Sequence, residues 1–249
     1  MPQLRHQPIK QLQPPAAAGG SDKKLWFAIT FGVVAIAAFG FAVLNNYLRQ
    51  REPKAILVNR VTPFSGLPGR EDMPAFSPDG RQLVFAWNGG EDGDNFDIYV
   101  KIIGAGEPVR LTSNAHDDVY PRFSPDNRFI AFVRDLKDDG GDVILIPALG
   151  GAERRVCQLF SGNYSISFSP NGLLLAVIDA ERSGGNEFAV HTVNLQTSEK
   201  RRLTTHEDFT GETTPRFSPD GEHIAFVRIA RDASQDLFVA PTAGGAVRN

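Results

Sequence analysis

The stretch Phe76-Ser77-Pro78-Asp79-Gly80 recurs three more times in the chain with small changes, and it decides the fold. The other copies begin at Phe123, Phe168 and Phe217, so that the leading phenylalanines lie 47, 45 and 49 residues apart. A period of this size, filled with short β patterns, indicates a repeat or propeller architecture.

Each copy has the composition of a tight turn. Serine stands at position i, proline presets φ at i+1, Asp or Asn occupies i+2, and Gly or Asn accepts the exit geometry. We therefore predict a hairpin at each copy and assign it a structural role without catalysis. The predicted turn residues are Phe76, Pro78, Asp79, Gly80, Phe123, Pro125, Asp126, Phe168, Pro170, Gly172, Phe217, Pro219, Asp220 and Gly221.

Four short strands surround the phrase in the first repeat. Their β-branched and aromatic content predicts strands at Met73–Phe76, Gln82–Trp87, Phe96–Ile102 and Glu107–Thr112. The same order recurs, which predicts blades at residues 73–112, 119–159, 165–204 and 214–249. Four antiparallel strands in 40–50 residues describe a propeller blade.

These residues carry a family resemblance. The order along the chain is the turn phrase, a strand containing Ala-Phe, the pattern Asp-Ile-Tyr-Val or Asp-Leu-Phe-Val, and Gly-Gly before the last strand. This order resembles the TolB-like, WD40-like propeller repeat over residues 57–249. The resemblance implies an all-β propeller of four-stranded antiparallel blades, and such propellers usually have six. Residues 56–63 could instead pair with blade four and close a ring of four. We favour part of a six-bladed ring, because an open sheet leaves unpaired strand edges.

A different composition precedes the repeats. Residues 1–24 are rich in Pro, Gln, Ala and Gly and predict a disordered tail. The run from Leu25 to Leu44 has Thr30 as its only polar side chain, and its 20 residues match the hydrocarbon core of about 30 Å. A cleaved signal peptide would have a shorter apolar region and a small-residue cleavage site, so we predict a retained transmembrane helix and a linker at residues 45–55.

The charges beside this run do not decide its orientation, because Lys23 and Lys24 precede it while Arg49, Arg51 and Lys54 follow it. A short tail, one helix and such repeats are similar to CadC-like transmembrane regulators, but 24 residues cannot hold their DNA-binding domain. This resemblance implies a cytoplasmic N-terminus and a periplasmic or extracellular propeller.

Charge and cysteine content exclude several classes of function. Residues 1–24 carry a net charge of +3 and residues 45–54 a net charge of +2, so the total of −3 leaves −8 for residues 55–249. General nucleic-acid binding needs a basic face, so we expect no nucleic-acid contact. Cys157 is the single cysteine, which excludes an intrachain disulfide, and we expect its thiol to be inert.

No pattern in the sequence points to a catalytic, cofactor or metal site. The acidic loops at Glu91–Asp97 and Asp135–Asp142 invite a calcium hypothesis, but the first lacks EF-hand spacing and we expect solvated loops. His116 and His206 stand beside acidic residues in loops that could share a ligand surface, although a solvated role is expected. There is no Gly-x-Ser-x-Gly elbow.

The leading functional hypothesis is a membrane-anchored, non-enzymatic propeller that binds a protein or peptide outside the cytoplasm. Propellers present loops around a channel and serve many functions, so the hypothesis depends partly on the fold. The alternatives are the sensor part of a transmembrane regulator or receptor kinase, and the non-catalytic propeller of a prolyl-oligopeptidase-like peptidase.

Overall fold

The structure is a computed structural model, and it describes residues 31, 37–45, 63–90, 93, 95–180, 188–205 and 209–248. The chain divides into two units, Met1–Pro63 and Phe64–Asn249. The strands are β1 (Glu71–Phe76), β2 (Gln82–Trp87), β3 (Asp97–Ile102), β4 (Val109–Arg110), β5 (Asp118–Phe123), β6 (Phe129–Asp135), β7 (Gly141–Pro147), β8 (Arg154–Leu159), β9 (Ile166–Phe168), β10 (Leu174–Asp179), β11 (Ala189–Asn194), β12 (Lys200–Arg202), β13 (Phe209–Phe217), β14 (His223–Ala230) and β15 (Gln235–Pro241). One 3-10 turn, Lys137–Asp139, precedes β7.

In the first unit, residues 37–45 are helical and exposed. Residues 25–30 and 32–36 of the predicted transmembrane segment lie outside the described residues, as do the predicted tail and residues 46–62. Within the part of the chain that the structure describes, no helix has both the length and the apolar content to cross a membrane. The described residues therefore do not support the predicted span.

The second unit consists of antiparallel sheets, which confirms the all-β, propeller-like prediction. In each sheet, strands that are consecutive in the chain are hydrogen-bonded neighbours. The orders are β1-β2-β3-β4, β5-β6-β7-β8, β9-β10-β11-β12 and β13-β14-β15. Among the described residues, the fourth sheet has three strands instead of the predicted four. The amide and carbonyl of Arg248 each pair with Val239 at 2.8 Å, so the predicted last strand is a single bridge.

Each sheet packs face to face on the next, and three apolar clusters fill the interfaces. Strand β6 shows the pattern: Ile130 and Phe132 belong to the cluster shared with the first sheet, while Ala131 and Val133 belong to the cluster shared with the third. Successive side chains of a strand point to opposite faces, so both faces of this sheet are buried. This is why the middle strands read as continuous apolar runs. Burial of each large aliphatic or aromatic side chain contributes about 1.5–3 kcal/mol.

The first strand of each sheet is called its inner strand. The inner strands β1, β5 and β13 differ from the predicted strands, because each contains a bulge at an X-Pro pair. The residues before these prolines, Met73, Tyr120 and Thr214, have φ values of 54°, 55° and 50°. The pairing register shifts at all three places. A bulge releases the proline from the hydrogen-bond ladder, which allows proline inside a strand. β1 and β13 therefore extend to Glu71 and Phe209, outside the predicted blade limits of 73 and 214.

The two outer faces of the array are more exposed than the interfaces between sheets. Phe76 of the first turn is 68% exposed, whereas Phe123 of the second turn is 7% exposed and packs on the first sheet. Leu237 in the fourth sheet is 63% exposed, whereas Val143 at the corresponding position of the second sheet is fully buried. The same repeat position is therefore part of the core only where another sheet covers it.

Candidate functional site

The four predicted turns share one hydrogen-bond pattern. The serine carbonyl accepts the amide N–H three residues later, at 2.9 Å for Ser77 and Gly80 and 3.0 Å for Ser124 and Asn127. The serine hydroxyl donates to the carboxylate or amide oxygen two residues later, at 2.6 Å in the first turn. This hydroxyl bond is the main cause that lowers the pKa values of the turn carboxylates, which are Asp79, Asp126 and Asp220.

The turns also contact one another across the sheets, which the sequence did not predict. A Cβ placed on Gly172 would lie 3.7 Å from Cδ of Pro125, and one on Gly221 would lie 3.3 Å from Cδ of Pro170. The proline of one turn therefore packs against the glycine of the next. The phrase joins neighbouring sheets in addition to reversing the chain.

We expect Gly221→Ala to destabilise the protein more than Gly80→Ala. Both glycines have positive φ, at 76° and 69°, so either alanine meets a backbone penalty of about 1 kcal/mol. A Cβ at Gly80 meets no atom within 4 Å, whereas the one at Gly221 crowds Pro170 and adds about 1 kcal/mol. Urea unfolding of both variants measures the difference. Equal losses would show that the turns do not press on each other.

Buried acid–base pairs join neighbouring strands within the sheets, at the end of the first hairpin away from the turn. Asp118 and Arg134 are opposite partners on β5 and β6, and the guanidinium donates to both carboxylate oxygens at 2.8 and 3.0 Å. Arg134 also donates to Glu153 at 2.8 Å. Burial raises the pKa of Asp118, while hydrogen bonds to both acids raise the pKa of Arg134 against the effect of its own burial. These charges are already satisfied within the protein.

The equivalent pair in the fourth sheet is Glu212 and Arg228. Arg228 donates to Glu212 at 2.7 Å, and the other carboxylate oxygen accepts the amide of Val190 at 2.8 Å and the hydroxyl of Thr204. Val190 and Thr204 belong to the third repeat, so this carboxylate connects two sheets. In the third sheet an acid, Asp179, occupies the position of the arginines and pairs with Lys200.

We expect Arg228→Met to lower the free energy of unfolding by about 3–5 kcal/mol, because it leaves a fully buried carboxylate without its cation. Arg155→Met is the matched control: Arg155 pairs with Asp142 at 2.7 Å, but its side chain is 55% exposed, so the cost should stay below about 1 kcal/mol. Denaturant unfolding measures both values. A loss for Arg228→Met as small as that of the control would contradict a structural role for the buried pair.

The residues of the calcium hypothesis serve the fold where the structure describes them. Asp97 pairs with Arg110 and Thr112, and Asp142 pairs with Arg155. Asp135 accepts the hydroxyl of Tyr164 at 3.0 Å. Glu91, Asp92 and Asp94 lie outside the described residues. The described part of either loop thus shows no convergent set of free carboxylates.

The predicted histidine surface is described only in part. His116 is exposed and its ring lies 3.1 Å from the side-chain oxygen of Asn114, while His206, Glu207 and Asp208 lie outside the described residues. Asp117 accepts the amide of Phe96 at 2.8 Å and so has a structural partner. The exposed trio Asp220, Glu222 and His223 has ligand atoms within 4.8 Å of one another, but Asp220 belongs to the fourth turn. Exposed acidic groups alone do not define a metal site.

Cys157 is half-buried on β8, and burial raises the pKa of its thiol to about 11. A thiol with this pKa is almost entirely protonated at neutral pH and is a poor nucleophile. The structure therefore agrees with an inert cysteine.

Two grooves separate successive turns. One, of about 510 Å³, lies between the second and third sheets and is lined by Pro125, Phe129, Phe168, Arg154 and Leu195 among others. The other, of about 690 Å³, lies between the first and second sheets beside Asp79, Asn127 and Leu149. Leu149 is 94% exposed, so this surface offers apolar contacts to a partner.

A pair of arginines on the inner strands is the strongest candidate for a binding site. One repeat position, directly before each turn phenylalanine, holds Ala75, Arg122, Ser167 and Arg216, and each of these pairs with the equivalent residue of the second strand. Arg122 and Arg216 thus share one level of the inner strands, with β9 between them.

Neither arginine has an acidic partner among the described residues. Arg122 donates to the carbonyl of Pro121 at 2.7 Å, and Arg216 donates to the carbonyl of Pro215 at 2.7 Å and to the hydroxyl of Ser165 at 3.4 Å. Burial lowers the pKa values of both guanidinium groups, and the charge of Arg216 lowers that of Arg122 further. Arg122 is half-buried, while Arg216 keeps access to solvent.

These two residues were not predicted from the sequence, although a signal for them is present there. The phrase is preceded by Pro-Arg in the second and fourth repeats, by Pro-Ala in the first and by Ile-Ser in the third. A repeat position at which the residue type varies is not needed to maintain the fold of the repeat. Only the structure shows that the two arginines occupy the same level of their sheets without an acidic partner, while Arg134 and Arg228 are neutralised.

Comparison with known proteins places these features in a family. The family described as "TolB beta propeller domain" (PD40) matches residues 54–244. The "Uncharacterized peptidase YuxL" of Bacillus subtilis (strain 168) is 23% identical over 189 residues, which cover 61% of this chain and 28% of that protein. The chain therefore spans little more than a quarter of the curated relative.

Solved structures show the same fold at low sequence identity. The putative TolB from Agrobacterium tumefaciens is 20% identical with a TM-score of 0.58, and the match covers 73% of this chain and 61% of that one. TolB from Acinetobacter baumannii is 16% identical with a TM-score of 0.60, over 72% of this chain and 43% of that one. The chain thus spans less than two thirds of either structure.

Proposed function

Because the chain belongs to the TolB beta-propeller domain family, we propose that it is a non-enzymatic module that binds a protein or peptide. The observation that carries this proposal is the cationic pair Arg122 and Arg216, which has no acidic partner in the described protein. Two arginines of the same sheets, Arg134 and Arg228, are instead held by buried acids. Unused guanidinium donors suit the polar groups of a peptide, and the grooves between the turns offer apolar contacts on the sheet that carries Arg122.

The binding module is proposed to stand outside the cytoplasm on a membrane anchor formed by residues 25–44. The supporting observation is the sequence itself: 20 residues with one polar side chain match the thickness of a bilayer core. A cytoplasmic N-terminus and a propeller of more than four blades, as in the six-bladed ring implied by the resemblance, belong to the same proposal.

The non-catalytic propeller of a peptidase is the second candidate function. It is favoured by the similarity to the peptidase YuxL, of which this chain matches 28%. In this case the propeller would select or admit peptides for a catalytic domain. A sensory role in a transmembrane regulator follows from the same binding chemistry, with the ligand acting as the signal.

Peptide binding is tested by selection of phage-displayed random dodecapeptides on the purified full chain in detergent. We expect enriched peptides that bind the folded chain and not heat-denatured chain, and that remain intact by mass spectrometry after incubation. Failure of every selected peptide to prefer the folded chain would overturn the binding module. Cleavage of bound peptides would overturn its non-enzymatic character.

The topology proposal predicts the behaviour of a bacterial alkaline phosphatase fused after Asn249, since this enzyme matures only outside the cytoplasm. We expect an active fusion from the full chain and an inactive one after deletion of residues 25–44. Activity of a cytoplasmic reporter at the same position would contradict the proposed orientation.

A further inference from the structure

The inner strands hold two like charges that the protein does not neutralise. Arg122 and Arg216 occupy equivalent positions on β5 and β13, opposite Ala131 and Ala225 of their own sheets. Their hydrogen bonds go to neutral oxygens, which are two proline carbonyls and the hydroxyl of Ser165. Placing like charges together in a partly buried site without a counter-charge is unfavourable. An arrangement of this kind is explained by a ligand that supplies the negative charge.

The same repeats show how the fold neutralises an arginine when it serves structure alone. Arg134 and Arg228 each face a fully buried carboxylate on the neighbouring strand, at 2.8 and 2.7 Å. Arg122 and Arg216 face alanine at the corresponding cross-strand position. The two classes of arginine differ in their partners although they stand on adjacent strands of the same sheets, so the missing partner is specific to one position of the repeat.

The donors available at this position suit an oxyanion. A guanidinium has five N–H donors in a planar fork, and the contacts to the proline carbonyls use few of them. Arginine binds carboxylate and phosphate groups through two parallel hydrogen bonds, which are stronger than bonds between neutral groups. Between the arginines, the third repeat contributes the hydroxyl groups of Ser165 and Ser167, which accept bonds from Arg216 and from the amide of Phe217 at 3.4 Å.

We propose that Arg122 and Arg216 form an anion-binding site for the carboxylate groups of an acidic peptide segment. This inference rests on the proposed peptide-binding function and names the chemistry of the partner. Both arginines contact the ligand directly, and Ser165 positions Arg216. Residues 55–249 carry a net charge of −8 with both arginines included, so the rest of this region repels an acidic peptide and directs it to this site.

Fluorescence anisotropy with labelled hexaglutamate tests the site on the full chain in detergent, with hexaglutamine as the neutral match. We expect hexaglutamate to bind at least about tenfold more tightly, since one charge-assisted bond accounts for about a factor of ten. Arg122→Gln and Arg216→Gln should each weaken hexaglutamate binding about tenfold. Arg155→Gln is the control, because Arg155 is exposed on β8 and pairs with Asp142, and it should change affinity less than about twofold.

Thermal unfolding separates this site from a structural role. If the arginines bind a ligand, Arg122→Gln and Arg216→Gln should keep or raise the melting temperature, because each removes a repulsion in the free protein. Loss of binding together with a large loss of stability in both variants would overturn the proposal. Equal binding of the two peptides, or an Arg155→Gln effect as large as that of Arg122→Gln, would overturn it as well.

Inorganic phosphate distinguishes the source of the anion. If phosphate alone binds more tightly than hexaglutamate and loses affinity in Arg122→Gln, the site takes a free anion and the peptide part of the proposal is wrong. If neither anion binds but neutral peptides from the phage selection do, this site is wrong while the binding module stands. If no selected peptide binds, the proposed function fails independently of the phosphate result.

Discussion

Burial of both faces of each middle sheet between its neighbours is the constraint on which the rest of the structure depends. Strand β6 contributes alternate side chains to two separate clusters, so no sheet in the middle of the array has a face left for solvent. Charges can enter such an interface only with partners, and Asp118 with Arg134 and Glu212 with Arg228 meet that condition. The turns stack for the same reason, since sheets held this close bring consecutive prolines and glycines into contact.

Much of this fold follows from local sequence. The turn phrase sets where each hairpin reverses, and the apolar runs after it set the second strands, because both depend on residues close together in the chain. The bulges at Met73, Tyr120 and Thr214 were not predicted from local sequence, because a positive φ before proline is sustained by pairing with a neighbouring strand. The predicted last strand of the fourth sheet also depends on strand pairing, since in the described part of the chain Arg248 forms a single bridge with Val239.

The candidate site was harder to predict for a related reason. Each repeat has several basic residues, and their sequence context does not tell which of them find a buried acid. Arg134 and Arg122 stand on adjacent strands of one sheet, yet the first is held by two acids and the second by a proline carbonyl. Compensation of charge depends on the neighbouring strands and sheets. It becomes visible only when they are placed together.

The carboxylate of Glu212 has a consequence for the way the molecule loses structure. Its partners come from two sheets: Arg228 from the fourth, and Val190 and Thr204 from the third. If the fourth sheet detaches, the amide of Val190 loses this buried acceptor. Amide hydrogens on β11 and β14 should consequently exchange with solvent in one cooperative step, so that the third and fourth sheets form a single foldon.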